Sequence, residues 1–156
     1  MNEWLALAIA VLVCFGAAAL GSWATVRALR EWYPLLRKPS WNPPNAVFGP
    51  VWTILYLAMA VAVWLVWRSG GDATIAMGLF ALQLALNVAW SMVFFGQRNP
   101  RGGLVVIVVL WLAIAATLVA FVSIDPLAGA LLIPYLAWVT FAAALNGSIA
   151  RLNPST

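Results

Sequence analysis

The chain alternates long apolar stretches with short polar breaks. Five apolar stretches cover about 5–26, 46–67, 73–95, 104–124 and 127–149. Each reaches the roughly 20 residues that an α-helix needs to cross a hydrocarbon core of about 30 Å. The later breaks are short and carry Gly, Pro, Asn and Asp, the residues that form turns. The pattern predicts an all-α membrane protein in which residues 1–156 form one bundle of five transmembrane helices.

Composition supports the same class of protein. Hydrophobic residues make up 65% of the chain and charged residues 8%, and the mean hydropathy is +1.00. These values lie far outside those of soluble domains. No cation precedes the first apolar stretch, which is also longer than the core of a signal peptide, so a retained span is expected. Cys14, the one cysteine, lies within that span and is interpreted as a packing residue.

Positive charge concentrates on alternate connections. The first connection, 27–45, holds four cations and one acid, and the third holds Arg98 and Arg101. The second pairs Arg68 with Asp72, and the fourth has only an acid. The positive-inside rule places the first and third connections and the C-terminus in the cytoplasm and the N-terminus outside. A bacterial cell membrane is the expected location, with an outer membrane as the alternative.

Several kinds of chemistry lack the residues they need. The chain has no histidine, and all four acids and eight cations lie in connections or near span ends. Acid–base catalysis and proton-coupled transport require ionisable groups at the site or inside the membrane. No cluster of metal ligands is present in the sequence, so no metal and no obligatory cofactor are expected. A conventional enzyme, an ion-coupled pump and a nucleic-acid partner are not expected either.

Three spans carry a face of aromatic and amide residues at helical spacing. These faces comprise Trp52, Tyr56, Met59 and Val63 on the second span, Gln83, Asn87 and Trp90 on the third, and Tyr135, Trp138, Ala142 and Asn146 on the fifth. Buried amides in lipid are costly without partners, so the faces should point into the bundle. Two interpretations remain open: hydrogen bonding between helices with aromatic packing, or a ligand cavity.

The face of the third span opposite its amides consists of small residues, and we call it the smooth face. Gly78, Ala81, Ala85 and Ala89 recur at intervals of three and four residues. Small residues in this pattern allow close approach of another transmembrane helix. The pattern predicts a homodimer interface on this face.

The first connection combines prolines, aromatic rings and cations. Its stretch 32–44 includes Tyr33, Arg37, Lys38 and Trp41, and it leads into the aromatic start of the second span, 48–56. A proline-stiffened basic loop above an aromatic helix suits capture of a flat, apolar molecule that carries carboxylates.

These segments resemble the TspO/MBR family, the translocator proteins and bacterial tryptophan-rich sensory proteins. Segments similar to the family's recur in its order at 83–90, 94–96 and 134–138, so the resemblance covers essentially the whole chain. It implies a five-helix bundle in which the long first loop caps a cavity among the second, third and fifth helices. It also implies a tetrapyrrole ligand such as protoporphyrin IX or haem.

The resemblance transfers ligand-binding roles to matching positions. These positions are Tyr33, Trp41, Trp52, Asn87, Trp90, Trp138 and Ala142. Tyr56 and Tyr135 lie on the same helix faces and are added to the set. The expected partners of the ligand's propionates are Arg37 and Lys38.

The resulting function is porphyrin sensing, transport or disposal. One alternative is an enzyme that degrades porphyrin in light and oxygen with Trp52 and Trp138 as redox partners. A second alternative is a carrier of lipid or sterol-type ligands, or a membrane scaffold. The cholesterol-recognition pattern of animal members needs a tyrosine that segment 145–151 lacks, so sterol transport is not supported.

Overall fold

The computed structural model describes residues 1–155, and five long helices dominate them. The helices are α1 (Glu3–Glu31), α2 (Phe48–Arg68), α3 (Thr74–Ser91), α4 (Pro100–Ile124) and α5 (Pro126–Leu152). Each forms part of a segment that is long and apolar enough to cross a membrane. The prediction of an all-α protein with five spans is confirmed.

Side-chain caps explain where several helices begin. Asn2, Asn99 and Asp125 each accept a hydrogen bond from a backbone N–H in the first turn of α1, α4 and α5, respectively. Pro100 and Pro126 follow two of these caps at the first helical position, where a proline costs no hydrogen bond. The Asn-Pro and Asp-Pro pairs that separate the apolar stretches therefore also start the next helices.

Three helices extend by three to five residues beyond an end of the predicted spans, among them α5, which continues to Leu152. α1 continues to Glu31 rather than ending near Val26, so the arginines assigned to the start of the first connection lie on a helix. No glycine or proline occurs between Val26 and Pro34. An ion pair between Arg27 and Glu31, one turn apart, also supports the extension. α4 begins at Pro100, four residues before the predicted span.

α1 packs against different helices at its two ends. Near its N-terminus, the backbone oxygen of Glu3 accepts a hydrogen bond from Trp64 Nε1 of α2 at 3.0 Å. In its C-terminal half it approaches the end of α3, where a Cβ added to Gly21 would lie 3.2 Å from Ser91 Oγ. α1 and α2 are thus joined at the end of the bundle away from the first connection.

The first connection folds back over one end of the bundle. It contains two short 3₁₀ turns, Tyr33–Leu35 and Asn45–Val47. The side chain of Asn153, just after α5, accepts from the backbone N–H of Arg37 at 3.0 Å and donates to its carbonyl at 2.9 Å. This pair of hydrogen bonds ties the connection to the end of α5.

Candidate functional site

A cavity of about 510 Å³ lies between α1, α2, α3 and α5, next to the first connection. This volume is in the range of about 300–1,000 Å³ that is usual for small-molecule sites. Aromatic rings form much of the wall: Phe15, Tyr33, Phe48, Trp52, Tyr56, Trp90, Phe94, Phe95 and Trp138. No charged side chain of the described residues lines it. The site therefore suits an apolar, aromatic molecule.

Trp52 is in contact with three other rings of this site. Its ring centroid is 5.8 Å from that of Tyr56, 6.4 Å from that of Trp90 and 6.3 Å from that of Tyr135. Rings at these separations make favourable tilted or edge-to-face contacts. The three helices that carry these rings therefore hold the indole of Trp52 in one place on the wall.

A π-turn after α3 brings more aromatic residues to the wall. It covers Met92–Gly96, and both Phe94 and Phe95 line the cavity with centroids 4.7 Å apart. Trp90, one turn earlier, lies 5.7 and 5.8 Å from these two rings. π-Turns within helices occur frequently at functional sites. Apolar periodicity gave no sign of this one.

A chain of hydrogen bonds joins α2, α3 and α5 behind the aromatic wall. Tyr56 donates to Asn87 Oδ1 at 3.3 Å, Asn87 Nδ2 donates to the Tyr135 hydroxyl at 2.7 Å, and that hydroxyl donates to Gln83 Oε1 at 2.8 Å. Gln83 Nε2 contacts Met59 Sδ at 3.7 Å. Tyr56 and Asn87 also line the cavity. The two interpretations of the amide faces therefore apply together, because the same residues connect helices and border a cavity.

A second polar contact involves the indoles. Trp90 Nε1 donates to Asn146 Oδ1 at 3.0 Å, and Asn146 Nδ2 donates to the carbonyl of Pro100 at 2.7 Å. Both Trp90 and Asn146 line the cavity. The buried Nε1 of Trp138 has no partner among the described residues, and its ring lies between Phe48 and Phe141, at 6.0 and 5.4 Å.

The structure brings together most of the sequence-predicted ligand positions. Those on the cavity wall are Tyr33, Trp52, Tyr56, Asn87, Trp90, Trp138 and Ala142. Trp41 is 46% exposed and packs edge-on against Phe141, outside the wall. Tyr135 is fully buried behind the wall and acts through its hydrogen bonds.

Neither cation expected to bind propionates reaches the cavity wall. The Lys38 ammonium donates to the carbonyls of Tyr33 and Leu36 at 2.7 and 3.0 Å and lies 4.9 Å from the centre of the Tyr33 ring. Burial lowers the pKa of Lys38 and raises that of Tyr33 to about 12. Arg37 is exposed, and its backbone is held by Asn153. Lys38 therefore braces the first connection.

Sequence reasoning missed the contribution of α1 to the wall. The helix supplies eight lining residues: Phe15, Ala18, Ala19, Gly21, Ser22, Thr25, Val26 and Leu29. Most are small, and small residues also occur throughout ordinary transmembrane helices. The recurrence of Ser22 and Thr25 among alanines at helical spacing was the one available signal.

The cavity has an opening on its lipid-facing side. All the exposed residues of its wall belong to two helices: Ala19, Ser22 and Val26 of α1, and Gly49 and Thr53 of α2. The opening therefore lies between α1 and α2, on the half of the bundle where these helices are not joined.

The smooth face of α3 lies on the outside of the bundle. Gly78, Ala81 and Ala85 are exposed, and Ala89 is half-buried. The face is available to a second copy of the chain, as the homodimer hypothesis requires.

Five apolar helices define an integral, multi-pass membrane protein, here with a tryptophan-rich cavity among four of them. The chain belongs to the TspO/MBR family, whose model matches residues 9–152. It is 44% identical to the tryptophan-rich protein TspO of Chlorobaculum tepidum, over 98% of this chain and 99% of the relative. It is 45% identical to the tryptophan-rich sensory protein of Cereibacter sphaeroides, over 87% of each chain. Identity to the human translocator protein is 47%, over 79% of this chain and 75% of the relative.

Proposed function

We propose that this protein binds a tetrapyrrole of the protoporphyrin IX class and acts in its sensing, transport or disposal. The observation that carries the proposal is the aromatic cavity around Trp52, whose lining suits a flat, apolar ring system and whose volume is usual for a small-molecule site. The names of two relatives, tryptophan-rich sensory protein and translocator protein, agree with a role in handling a ligand.

Recognition in this proposal uses the faces of the macrocycle. Aromatic contacts each contribute about 0.5–1.5 kcal/mol beyond the burial of apolar area. Among the described residues there is no group of His, Cys, Asp and Glu that could hold a metal ion. Binding through stacking and apolar contact needs no metal, so the metal-free porphyrin is the ligand to test first.

The proposed orientation in the membrane follows from charge. α1 ends with Arg27 and Arg30, and Arg98 and Arg101 lie at the same end of the bundle, near the first connection and the opening of the cavity. By the positive-inside rule we propose that this end is cytoplasmic. The proposed membrane is a bacterial cell membrane. A ligand with acidic groups would then face the basic end. Reporter fusions after the C-terminus should report the cytoplasm and fusions after Ser69 the opposite side. The reverse pattern would contradict the orientation, and matching signals would contradict the five-span topology.

A titration in nanodiscs tests the site directly. Protoporphyrin IX is added and quenching of tryptophan fluorescence is followed for the wild type, Trp52→Ala, Trp138→Ala and Trp4→Ala. The first two indoles line the cavity, whereas Trp4 is exposed at the opposite end. Loss of stacking should weaken binding by about 1–3 kcal/mol, or roughly five- to 150-fold, for the two cavity variants. Trp4→Ala should bind as the wild type does.

The matched control also shows how the proposal would fail. If all three variants bind equally well, total indole content rather than this cavity explains quenching. If the wild type binds porphyrin no more tightly than an unrelated membrane protein does, the proposal is wrong and the second alternative, a carrier of other ligands or a scaffold, is favoured. Each variant should first give the helical circular dichroism of the wild type, so that misfolding is not read as lost affinity.

One observation favours the enzymatic alternative as a second candidate. Trp52 lies within 6.4 Å of three further oxidisable rings, so a radical formed on its indole has neighbours to which it could pass. Illumination of the bound porphyrin in the presence of oxygen should then yield a product. Formation of that product should stop in Trp52→Phe at saturating porphyrin. Equal product yield from the variant would exclude this role for Trp52.

A further inference from the structure

A second, open concavity of about 450 Å³ lies on the exposed side of α1, the helix that supplies all of its lining residues. We call this concavity the α1 groove. Its polar end is formed by Trp23, Arg27, Arg30 and Glu31. Trp23, Arg27 and Arg30 are spaced at i, i+4 and i+7, so they share one face of the helix. The porphyrin site described above uses none of these four side chains.

The α1 groove and the main cavity share one wall. Ala19, Ser22 and Val26 line both. The same three residues form the α1 side of the opening between α1 and α2. An elongated molecule held in the groove would therefore reach the opening of the cavity.

The groove carries positive charge that the protein itself does not neutralise. Arg27 Nε lies 3.1 and 3.0 Å from the two carboxylate oxygens of Glu31. Glu31 also accepts from Arg98 at 3.2 Å, so this one acid faces two guanidinium groups. Arg30 makes no ion pair with any residue of the described chain. An anion in the groove would meet an available guanidinium.

Aromatic and basic residues place the groove at the level of lipid headgroups. Trp23 is 79% exposed, and exposed tryptophans of transmembrane helices lie preferentially at the membrane interface. Arg27 and Arg30 follow it by one and two turns toward the basic end of the bundle. Arginines at this depth pair with the phosphates of anionic lipids.

We propose that the α1 groove binds an anionic phospholipid. Its phosphate pairs with Arg30 and Arg27, its glycerol region lies beside Trp23, and an acyl chain lies along Ala19 and Ser22 at the opening of the main cavity. The occupant is a lipid because the groove faces the bilayer and continues into an apolar wall. It is anionic because Arg30 lacks a counter-ion. The chain would partly block the opening, so anionic lipid should compete with the cavity's ligand; this competition rests on the proposed function.

Lipid retention measured by native mass spectrometry tests the site. Wild type, Arg30→Gln and Arg101→Gln are incorporated in nanodiscs of equal parts phosphatidylglycerol and phosphatidylcholine, then released for the measurement. Arg101 is an exposed arginine at the same end of the bundle but outside the groove. The wild type and Arg101→Gln should retain phosphatidylglycerol preferentially. In Arg30→Gln this preference should fall by roughly fivefold, as expected for one cation at an anionic surface.

Three outcomes decide whether the α1 groove binds an anionic lipid. Equal retention by Arg30→Gln and Arg101→Gln overturns the lipid site. The proposal is also wrong if Arg30→Gln leaves lipid retention unchanged but weakens binding of protoporphyrin IX and not of its dimethyl ester, because the groove would then bind the ligand's carboxylates. Arg30-dependent lipid retention in a protein that binds no porphyrin supports the lipid site while rejecting the proposed function.

Discussion

The Tyr135 hydroxyl is the central group of the buried hydrogen-bond chain. Its removal tests what that chain contributes to the stability of the bundle. It accepts from Asn87 at 2.7 Å and donates to Gln83 at 2.8 Å in a fully buried position. Tyr135→Phe keeps the ring against Trp52 but leaves an amide N–H and an amide oxygen without this partner. Hydrogen bonds between membrane helices contribute about 0.6 kcal/mol on average and about 1.7 at most. The two bonds together therefore predict a loss of about 1–3 kcal/mol in the free energy of unfolding.

Unfolding in detergent, followed by tryptophan fluorescence, measures this loss. Tyr33→Phe is the matched control, because the Tyr33 hydroxyl donates to Asn42, whose half-buried amide can bond to water once the hydroxyl is removed. Its cost should stay within about 0.5 kcal/mol. The double variant Tyr135→Phe/Gln83→Leu should lose less free energy of unfolding than the sum of the losses in the two single variants. The reason is that the second change removes the amide oxygen that Tyr135→Phe leaves unpaired. If Tyr135→Phe unfolds as Tyr33→Phe does, the buried network does not stabilise the bundle.

Three further substitutions test other parts of the structure. Ala85→Phe places a bulky ring on the exposed face of α3, and light scattering in detergent should show a shift from dimer to monomer with porphyrin affinity unchanged; an unchanged dimer would place the interface elsewhere. Gly129→Ala should destabilise the α4–α5 hairpin by about 1–3 kcal/mol, because its Cβ would lie 2.9 Å from the backbone of Val122. Gly16→Ala is the control in the same unfolding assay, since nothing lies within 4 Å of that Cβ. Lys38→Met should weaken binding of protoporphyrin IX and of its dimethyl ester equally, since the ammonium braces loop carbonyls; a loss confined to the free acid would show that Lys38 contacts a propionate.

Hydropathy predicted the five helices because the bilayer fixes their length and composition together. The inward faces of α2, α3 and α5 were also predictable, since Gln83, Asn87 and Asn146 would be costly in contact with lipid. The structure pairs each of these amides with a neighbouring helix. Polar residues in an apolar sequence are informative because few environments satisfy them.

Two of the features that sequence reasoning missed depend on backbone conformation, and the third depends on small residues that suit several environments. Lys38 has the charge that a propionate would need, but the turns of the first connection direct its ammonium to the carbonyls of Tyr33 and Leu36. The π-turn that brings Phe95 beside Phe94 leaves no trace in apolar periodicity. The lining residues of α1 are mostly small, and such residues pack equally well against a helix, a ligand or lipid.

Two kinds of interaction hold the four helices around the cavity, and their difference locates its movable side. Hydrogen bonds between side chains link α2, α3 and α5 inside the membrane, through Tyr56, Asn87 and Tyr135. The hydrogen bonds that the structure gives α1 with other segments lie near its two ends, at Glu3 with α2 and at Glu31 with the connection before α4. Its middle is held by the packing of small residues. Separation of α1 from α2 therefore breaks no buried hydrogen bond among those described, whereas separation of α3 from α2 or from α5 does. The opening between α1 and α2 is for this reason the side of the cavity that can widen at least cost.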